Sequence, residues 1–467
     1  MAGLTVLAAV LVSGCTSGGS VTAARSVSAS APPSASSSAV ASASAPGQAV
    51  PSLPSSALAS PGCSSATAAG PALGSVRSAM LEMGRGPFGV AVTPDGRWAF
   101  VALTGAMGGA AGAVGVLRLG TGGGPPAGPA VKLVRTVSLP VSPVGATITP
   151  DGKYLLVAAG SGAAVISVAR AEAGATGALL GTLAVPGGAS ASGPASRAFA
   201  LNSAIEVAVS PDGRFAFVTL EDADEAVVFN LAGALSRGFG AADYVGAIPL
   251  GQAPVGMAVS PDGRWLYATS EGAVAGQRAT GLTPAGGCTS RVTGTIPGEP
   301  PGTLTVVDLA QAETDPAGAV VATVDAGYQP VRVVTAADGT QVWVTARASD
   351  DLLCFAAAGL ASDPARALVA IVRVGSEPVG LAAAAGGALI VVADSNRFAA
   401  SGANSALTVV NVAAALAGRP AVTGEIATGL FPRDVAVSSG GTLIVSDFSS
   451  GQVQAVATAG LPGRPAG

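Results

Sequence analysis

The chain contains no histidine. That absence removes the side chain that ordinarily moves protons at neutral pH, and the commonest metal ligand. Ser-His-Asp triads, His-ligated zinc and His-based lactone or lyase chemistry go with it. Acid–base or metal chemistry would have to come from carboxylates, with arginine as an anion clamp. Three ionisable residues stand at one equivalent place in seven related segments: Glu206, Arg332 and Asp434, where the other four carry Gly89, Gly145, Gly256 and Gly380. Brought together, they could bind a small polar ligand or cation. In a catalytic version, Glu206 and Asp434 act as acid and base or as metal ligands, and Arg332 as the clamp. The competing reading is a mutually paired or solvated set lining a wet channel.

A second oxygen-rich group lies in "LEDADEA", which carries Glu221, Asp222, Asp224 and Glu225. Calcium takes about six to eight oxygen ligands and is held by such loops. The spacing matches no EF-hand and has no Gly where that turn needs one, so a solvated acidic loop accounts for it equally. A divalent cation bound here would be the chain's one cofactor; otherwise the expectation is none. Of the remaining ligand types, Cys354 sits in an apolar run, "DLLCFA", and reads as a small buried hydrophobe. Cys63 and Cys288 lie in irregular segments. Either a Cys63–Cys288 or a Cys288–Cys354 disulfide is open in an oxidising compartment.

The segments that position the three charged residues are repeats. Their openings are "GPFGVAVTPDG" at Gly86, "SPVGATITPDG" at Ser142, "SAIEVAVSPDG" at Ser203, "APVGMAVSPDG" at Ala253, "QPVRVVTAADG" at Gln329, "EPVGLAAAAGG" at Glu377 and "FPRDVAVSSGG" at Phe431. A short apolar run precedes a turn in which Pro presets φ, Asp bonds its own backbone and Gly takes the left-handed conformation. A second run follows, as in "RWAFVAL" and "RWLYATS", so the pair predicts a hairpin. A third run ("AVVFNLA" at Ala226, "LTVVDLA" at Leu304, "LTVVNVA" at Leu407) and a fourth ("LVRTVSLPV" at Leu133, "ALVAIVRV" at Ala367) complete a four-stranded antiparallel sheet.

A single such sheet exposes both faces, and stacking seven in a ring buries them. The expected fold is therefore all-β: a seven-bladed β-propeller of four-stranded antiparallel blades. The last copy runs out after its third strand. The unassigned "SVRSAMLEMG", Ser75 to Gly84, is expected to supply the fourth and close the ring. The charged position starts the innermost strand, so its side chains should point to the upper mouth of the channel. The longest insertion, residues 272–302, is expected on that top face. The repeat resembles the YVTN-type β-propeller family, related in fold to the lactonase-type seven-bladed propellers, over about Ser75 to Thr458. "SPDGRWLYATS" carries the resemblance, and "FVTL" at Phe217 and "WVTA" at Trp343 are the nearest forms of the YVTN signature.

Residues 1–15, "MAGLTVLAAVLVSGC", have an apolar core from Leu4 to Val12 that ends in small residues and a cysteine. They resemble a bacterial lipoprotein signal peptide with "LVSGC" as lipobox, which implies diacylation of Cys15. Residues 16–72 are Ser, Ala, Pro and Gly with almost no charge, too polar and simple to offset their ordering entropy, and read as a disordered tether. The propeller is then expected over 73–460, with 461–467 a tail. Charged residues are 11% of the chain and the net charge is −4, which argues against nucleic acid. No apolar run is long enough to span a membrane as a helix.

Two functions follow. One is a surface-tethered extracytoplasmic lipoprotein, anchored to the bacterial cell membrane through Cys15, acting as a non-catalytic binding module for a protein, glycan or cell-envelope ligand. The other is a carboxylate- or metal-dependent, lactonase-like hydrolase at the channel mouth. Convergence of Glu206, Arg332 and Asp434 in one concave site with little solvent access would favour the enzyme. Their dispersal around an open channel would favour the binding module.

Overall fold

The computed structural model describes residues 62–64, 70–84, 86–104, 111–120, 128–187, 204–273, 279–282, 301–397 and 405–463. The first strands are β1 (Gly62–Ser64) and β2 (Ser78–Glu82), followed by seven four-strand groups. Blade one is β3 (Pro87–Val92), β4 (Trp98–Leu103), β5 (Gly112–Gly120) and β6 (Ala130–Leu139). Blade two is β7 (Pro143–Ile148), β8 (Tyr154–Ala159), β9 (Gly162–Ser167) and β10 (Leu179–Ala184). Blade three is β11 (Ala204–Val209), β12 (Phe215–Leu220), β13 (Glu225–Asn230) and β14 (Tyr244–Pro249). Blade four is β15 (Pro254–Val259), β16 (Trp265–Ser270), β17 (Pro301–Asp308) and β18 (Val320–Tyr328). Blade five is β19 (Pro330–Thr335), β20 (Gln341–Ala346), β21 (Asp351–Ala356) and β22 (Leu368–Arg373). Blade six is β23 (Pro378–Ala384), β24 (Leu389–Asp394), β25 (Ala406–Asn411) and β26 (Val422–Ala427). Blade seven is β27 (Pro432–Val437), β28 (Thr442–Asp447) and β29 (Gln452–Ala457), completed by β2.

The expected seven-bladed propeller is thus the observed fold, and its closure is the expected one. β2 pairs antiparallel with β29, from Ser78 opposite Val456 to Glu82 opposite Gln452. The core is distributed between blades. Each apolar cluster joins residues of adjacent sheets, as Phe100 and Val116 of blade one do with Leu155 and Ile166 of blade two. The second strands are buried along most of their length because both faces meet a neighbouring blade.

The Thr/Ser-Pro-Asp-Gly turn is held by its own side chains. The hydroxyls of Thr93, Thr149, Ser210 and Ser260 donate to Asp95, Asp151, Asp212 and Asp262 at 2.5–2.7 Å. The same hydroxyls accept the amide of the residue that opens the second strand, at 2.9–3.1 Å. Gly263, at φ 71°, completes the reversal in blade four. Short helices follow the third strands of blades two to six. Four of these are capped by Ser167, Asn230, Asp308 and Asn411, a start signal the strand-based reading did not assign.

Three outer edges are covered by the chain itself. Gly62–Ser64, inside the stretch expected to be a structureless tether, adds to β22 as a parallel fifth strand. Ala72 bridges β26 at Glu425, with Leu73 N donating to Glu425 O at 2.7 Å. Thr280 bridges β18 at Val324. That last contact departs from the top-face expectation for the insertion: its described middle part, residues 279–282, lies along an outer edge, and Leu282 is buried in the core there. Unpaired edge amides and carbonyls attract an extended segment, and local sequence does not reveal which segment will reach them. At the other end, Leu461 lies within the expected tail but is buried against the cluster containing Val76.

The turns make a testable contribution. The Thr93 hydroxyl and the Arg97 amide hold Asp95 down to about 2, and the Thr149 and Ser260 hydroxyls lower Asp151 and Asp262 likewise. A folded-state pKa below the unfolded value of about 4 gives stability that is complete above pH 4 and lost as pH falls toward 2. Urea midpoints measured between these pH values should fall less steeply for the double variant D95N/D262N than for the parent; equal slopes would refute the assignment. Ser260→Ala should cost about 1 kcal/mol at neutral pH. Deleting residues 75–84 leaves β29 as a bare edge and should convert a monodisperse species into aggregate on size-exclusion chromatography.

Candidate functional site: the mouth of the central channel

All seven innermost strands open on a register shift between the residue in the Pro slot and the second or third residue after it. Such a bulge turns the local side chains away from the sheet and frees an amide. In blades three, five and seven the freed amides belong to Glu206, Arg332 and Asp434. They donate to hydroxyls on the second strand: Thr219 at 3.0 Å, Thr345 at 3.1 Å and Ser446 at 3.1 Å. These are the hydroxyl positions of "FVTL" and "WVTA".

At this register the innermost strands of neighbouring blades nearly touch. A Cβ added to Gly256 would stand 2.3 Å from Val331 O, and one on Gly89 2.5 Å from Val144 O. The four glycines thus permit close approach, while the three remaining side chains occupy the centre.

Glu206, Arg332 and Asp434 converge there. Arg332 Nη2 lies 3.2 Å from Glu206 Oε2, with only 7% and 13% of the two side chains exposed. Arg332 Nη1 donates to Val255 O at 2.5 Å. Asp434 Oδ2 accepts the Val90 amide at 2.9 Å, across the junction between blades seven and one. Burial pushes Glu206 up to about 7, against the pull of Arg332 and with added repulsion from Asp434. Burial also raises Asp434, opposed first by Arg332. The arrangement can store a proton near neutral pH, and it can present a guanidinium and two carboxyls in a space of low dielectric.

Three further residues belong to the mouth and were not singled out from sequence. The place immediately after the Pro slot reads Phe88, Val144, Ile205, Val255, Val331, Val379 and, in blade seven, Arg433. Arg433 is 8% exposed. Its guanidinium carbon lies 4.4 Å from the Phe88 ring centre and 5.9 Å from that of Phe431. Burial, then repulsion from Arg332 and Arg347, lowers its pKa to about 9. Aligning the seven copies one column earlier would have exposed it as the only charge in an apolar column. Arg347 and Glu271, each just past a second strand, form an ion pair of 3.0 Å, and Arg347 also donates to Gln329 Oε1 at 2.6 Å.

The four carboxylates of the acidic loop have different surroundings. Glu221 is half-buried, and its pKa is raised by burial and then by Glu271 and Asp222, with Arg433 and Arg347 opposing, so it faces the mouth. Asp222 is exposed. Asp224, in the left-handed region at φ 57°, accepts the Ala253 amide at 3.0 Å. Glu225 begins β13 opposite Leu220. Among the described residues no three His, Cys, Asp or Glu side chains are grouped so as to share a metal. A separate cleft of about 540 Å³, lined by Arg135, Ser138, Arg170 and Gly174, contains none of the residues identified from sequence.

Cys354 is a free thiol with no exposed surface, and burial raises its pKa well above the ordinary value. This rules out the Cys288–Cys354 pairing: the Cys354 side chain faces the packed core between blades five and six. Cys15 and Cys288 lie outside the described residues, and Cys63 is placed only by its backbone in β1.

The pH response of Glu206 follows from its environment. An acid whose folded pKa lies above its unfolded value of 4.5 adds stability below 4.5, and this is lost as pH rises through about 7. Burial also raises Asp447 to about 7. Unfolding free energy should therefore decline between pH 4.5 and 7, and E206Q, a neutral isostere, should flatten that decline. An unchanged profile would show that Glu206 stays ionised. Arg332→Leu strands the buried Glu206 charge and should cost about 3–5 kcal/mol at pH 8.

No protein-family model and no curated protein matches the chain. Among solved structures it is similar to the hydrazine synthase of Kuenenia stuttgartiensis, with 16% identity and a TM-score of 0.56 over 81% of this chain and 97% of that one. At that identity the likeness extends to the propeller fold alone.

Proposed function

We propose that the chain is a surface-tethered, extracytoplasmic β-propeller lipoprotein whose channel mouth recognises a protein, glycan or cell-envelope ligand without transforming it. The observation that carries this reading is how the charged groups use their hydrogen bonds. Arg332 is ion-paired with Glu206 and donates from Nη1 to Val255 O, and Asp434 accepts the Val90 amide. They brace the mouth and form no pairing of nucleophile and base of the sort covalent catalysis requires. The leader ending at Cys15, the Ser/Ala/Pro-rich stretch after it and the lack of histidine support the same reading. The repeat supports kinship with the YVTN-type propellers.

One observation favours a hydrolase instead. Glu206, Arg332 and Asp434 meet in a site of little solvent access, and a carboxyl near pH 7 is suited to general acid–base work.

Binding of the purified full chain to glycan and peptide arrays, alongside a hydrolysis screen with lactones and carboxylic esters, separates the two. A saturable array ligand with no turnover supports recognition. Turnover that E206Q reduces by at least about a hundredfold supports the hydrolase. In a bacterial host the wild type should fractionate with membranes and incorporate labelled fatty acid, and Cys15→Ala should do neither. A soluble, unlabelled wild type would refute the anchor.

A further inference from the structure

Arg433 differs from the paired charges of the mouth. Glu206, Arg332, Asp434, Arg347 and Glu271 all have hydrogen-bond or ion-pair partners. Among the described residues nothing accepts a hydrogen bond from the Arg433 guanidinium and no carboxylate pairs with it; its close partners are the rings of Phe88 and Phe431. Aromatic rings stabilise a cation through their faces but offer no acceptor to in-plane N–H groups. A charge is exceptional at this place, where six of the seven blades carry an apolar residue. Phe431, before a proline, is held at φ 54°, the conformation that Ala253, Gln329 and Glu377 share at the equivalent place in blades four to six.

We propose that Arg433 is an anion anchor: its aromatic-backed guanidinium takes a carboxylate or phosphate group of a ligand that enters the channel mouth from the top face. This rests on reading the mouth as a recognition site, and it specifies the chemistry of one end of the ligand. A planar guanidinium fork matches two oxygens of either group. Phe88 and Phe431 fix its plane and exclude water from its faces. Arg332 and Arg347, held by Glu206, Val255 O, Glu271 and Gln329, add positive potential beside it.

The test uses thermal unfolding of the full chain in about 10 mM sodium succinate or sodium phosphate, against sodium chloride of matched ionic strength. The two oxyanions distinguish carboxylate from phosphate as the preferred group. At least one should raise the wild-type midpoint by on the order of 2 °C. Arg433→Leu, which installs the kind of residue other blades carry, should abolish the rise while unfolding no earlier than wild type in chloride. Arg433→Lys keeps the charge and loses the fork, and should retain less than half of the rise. No rise in wild type overturns the proposal, as does an equal rise in Arg433→Leu or, should that variant not fold, in Arg433→Lys. An array ligand bound equally by wild type and Arg433→Leu, with no oxyanion effect, overturns the anchor and leaves the recognition reading intact. An oxyanion effect lost in Arg433→Leu supports the anchor whether or not an array ligand is found.

Discussion

The bulge that opens every innermost strand is the constraint on which the rest of this molecule depends. It withdraws one amide from the ladder, and a withdrawn buried amide must find another acceptor. In blades three, five and seven that acceptor is a hydroxyl of the second strand, Thr219, Thr345 or Ser446. Two of these hydroxyls also donate onward to the next blade, Thr345 to Val379 O and Ser446 to Phe88 O, as does the equivalent Thr269 of blade four to Val331 O. One small polar side chain thus repairs its own blade and staples it to its neighbour. The same bulge turns the third residue of the strand into the channel. Ring geometry and site geometry are therefore one problem with one solution.

Blade seven shows how closely they are joined. The seam between the chain's last and first blades is crossed by the bond from Ser446 to Phe88 O, by Asp434 accepting the Val90 amide and by Arg433 lying against Phe88. Phe448 packs edge-on against both Phe88 and Phe431, at 5.9 and 5.5 Å. The antiparallel pairing of β2 with β29 closes the same blade at the rim. The residues we assign to recognition are thus those that hold the ring shut at its centre. A ligand seated there would contact the one junction where the chain's two ends meet.

Charge at the mouth is balanced tightly because it is dry. Four arginines, Arg332, Arg347, Arg397 and Arg433, act on one another or on the carboxylates around them. The raised pKa values of Glu206, Asp434 and Glu221 have burial as their largest cause. Burial disfavours each charge taken singly, and pairing recovers only part of that. The mouth therefore tolerates few arrangements: Glu206 with Arg332, Arg347 with Glu271, and an arginine left to two phenylalanine rings.

The sequence by itself determined the architecture. Seven copies of a strand–turn–strand phrase, the Pro-Asp-Gly turns and an unpaired strand near Ser75 were enough to set blade number, strand order and closure, because turns and alternating strands are local properties of a few consecutive residues. The equivalence of Glu206, Arg332 and Asp434 was legible for the same reason. What only the tertiary structure decided is every relation between blades: that Glu206 grips Arg332 while Asp434 holds Val90, that Arg433 rests on Phe88, that Gly62–Ser64 and Thr280 settle on outer edges. These pairs are separated by many tens of residues, and their contacts arise from packing one sheet against another. A periodic pattern along the chain specifies each sheet, but the close approach of neighbouring sheets around a common axis determines which side chains meet.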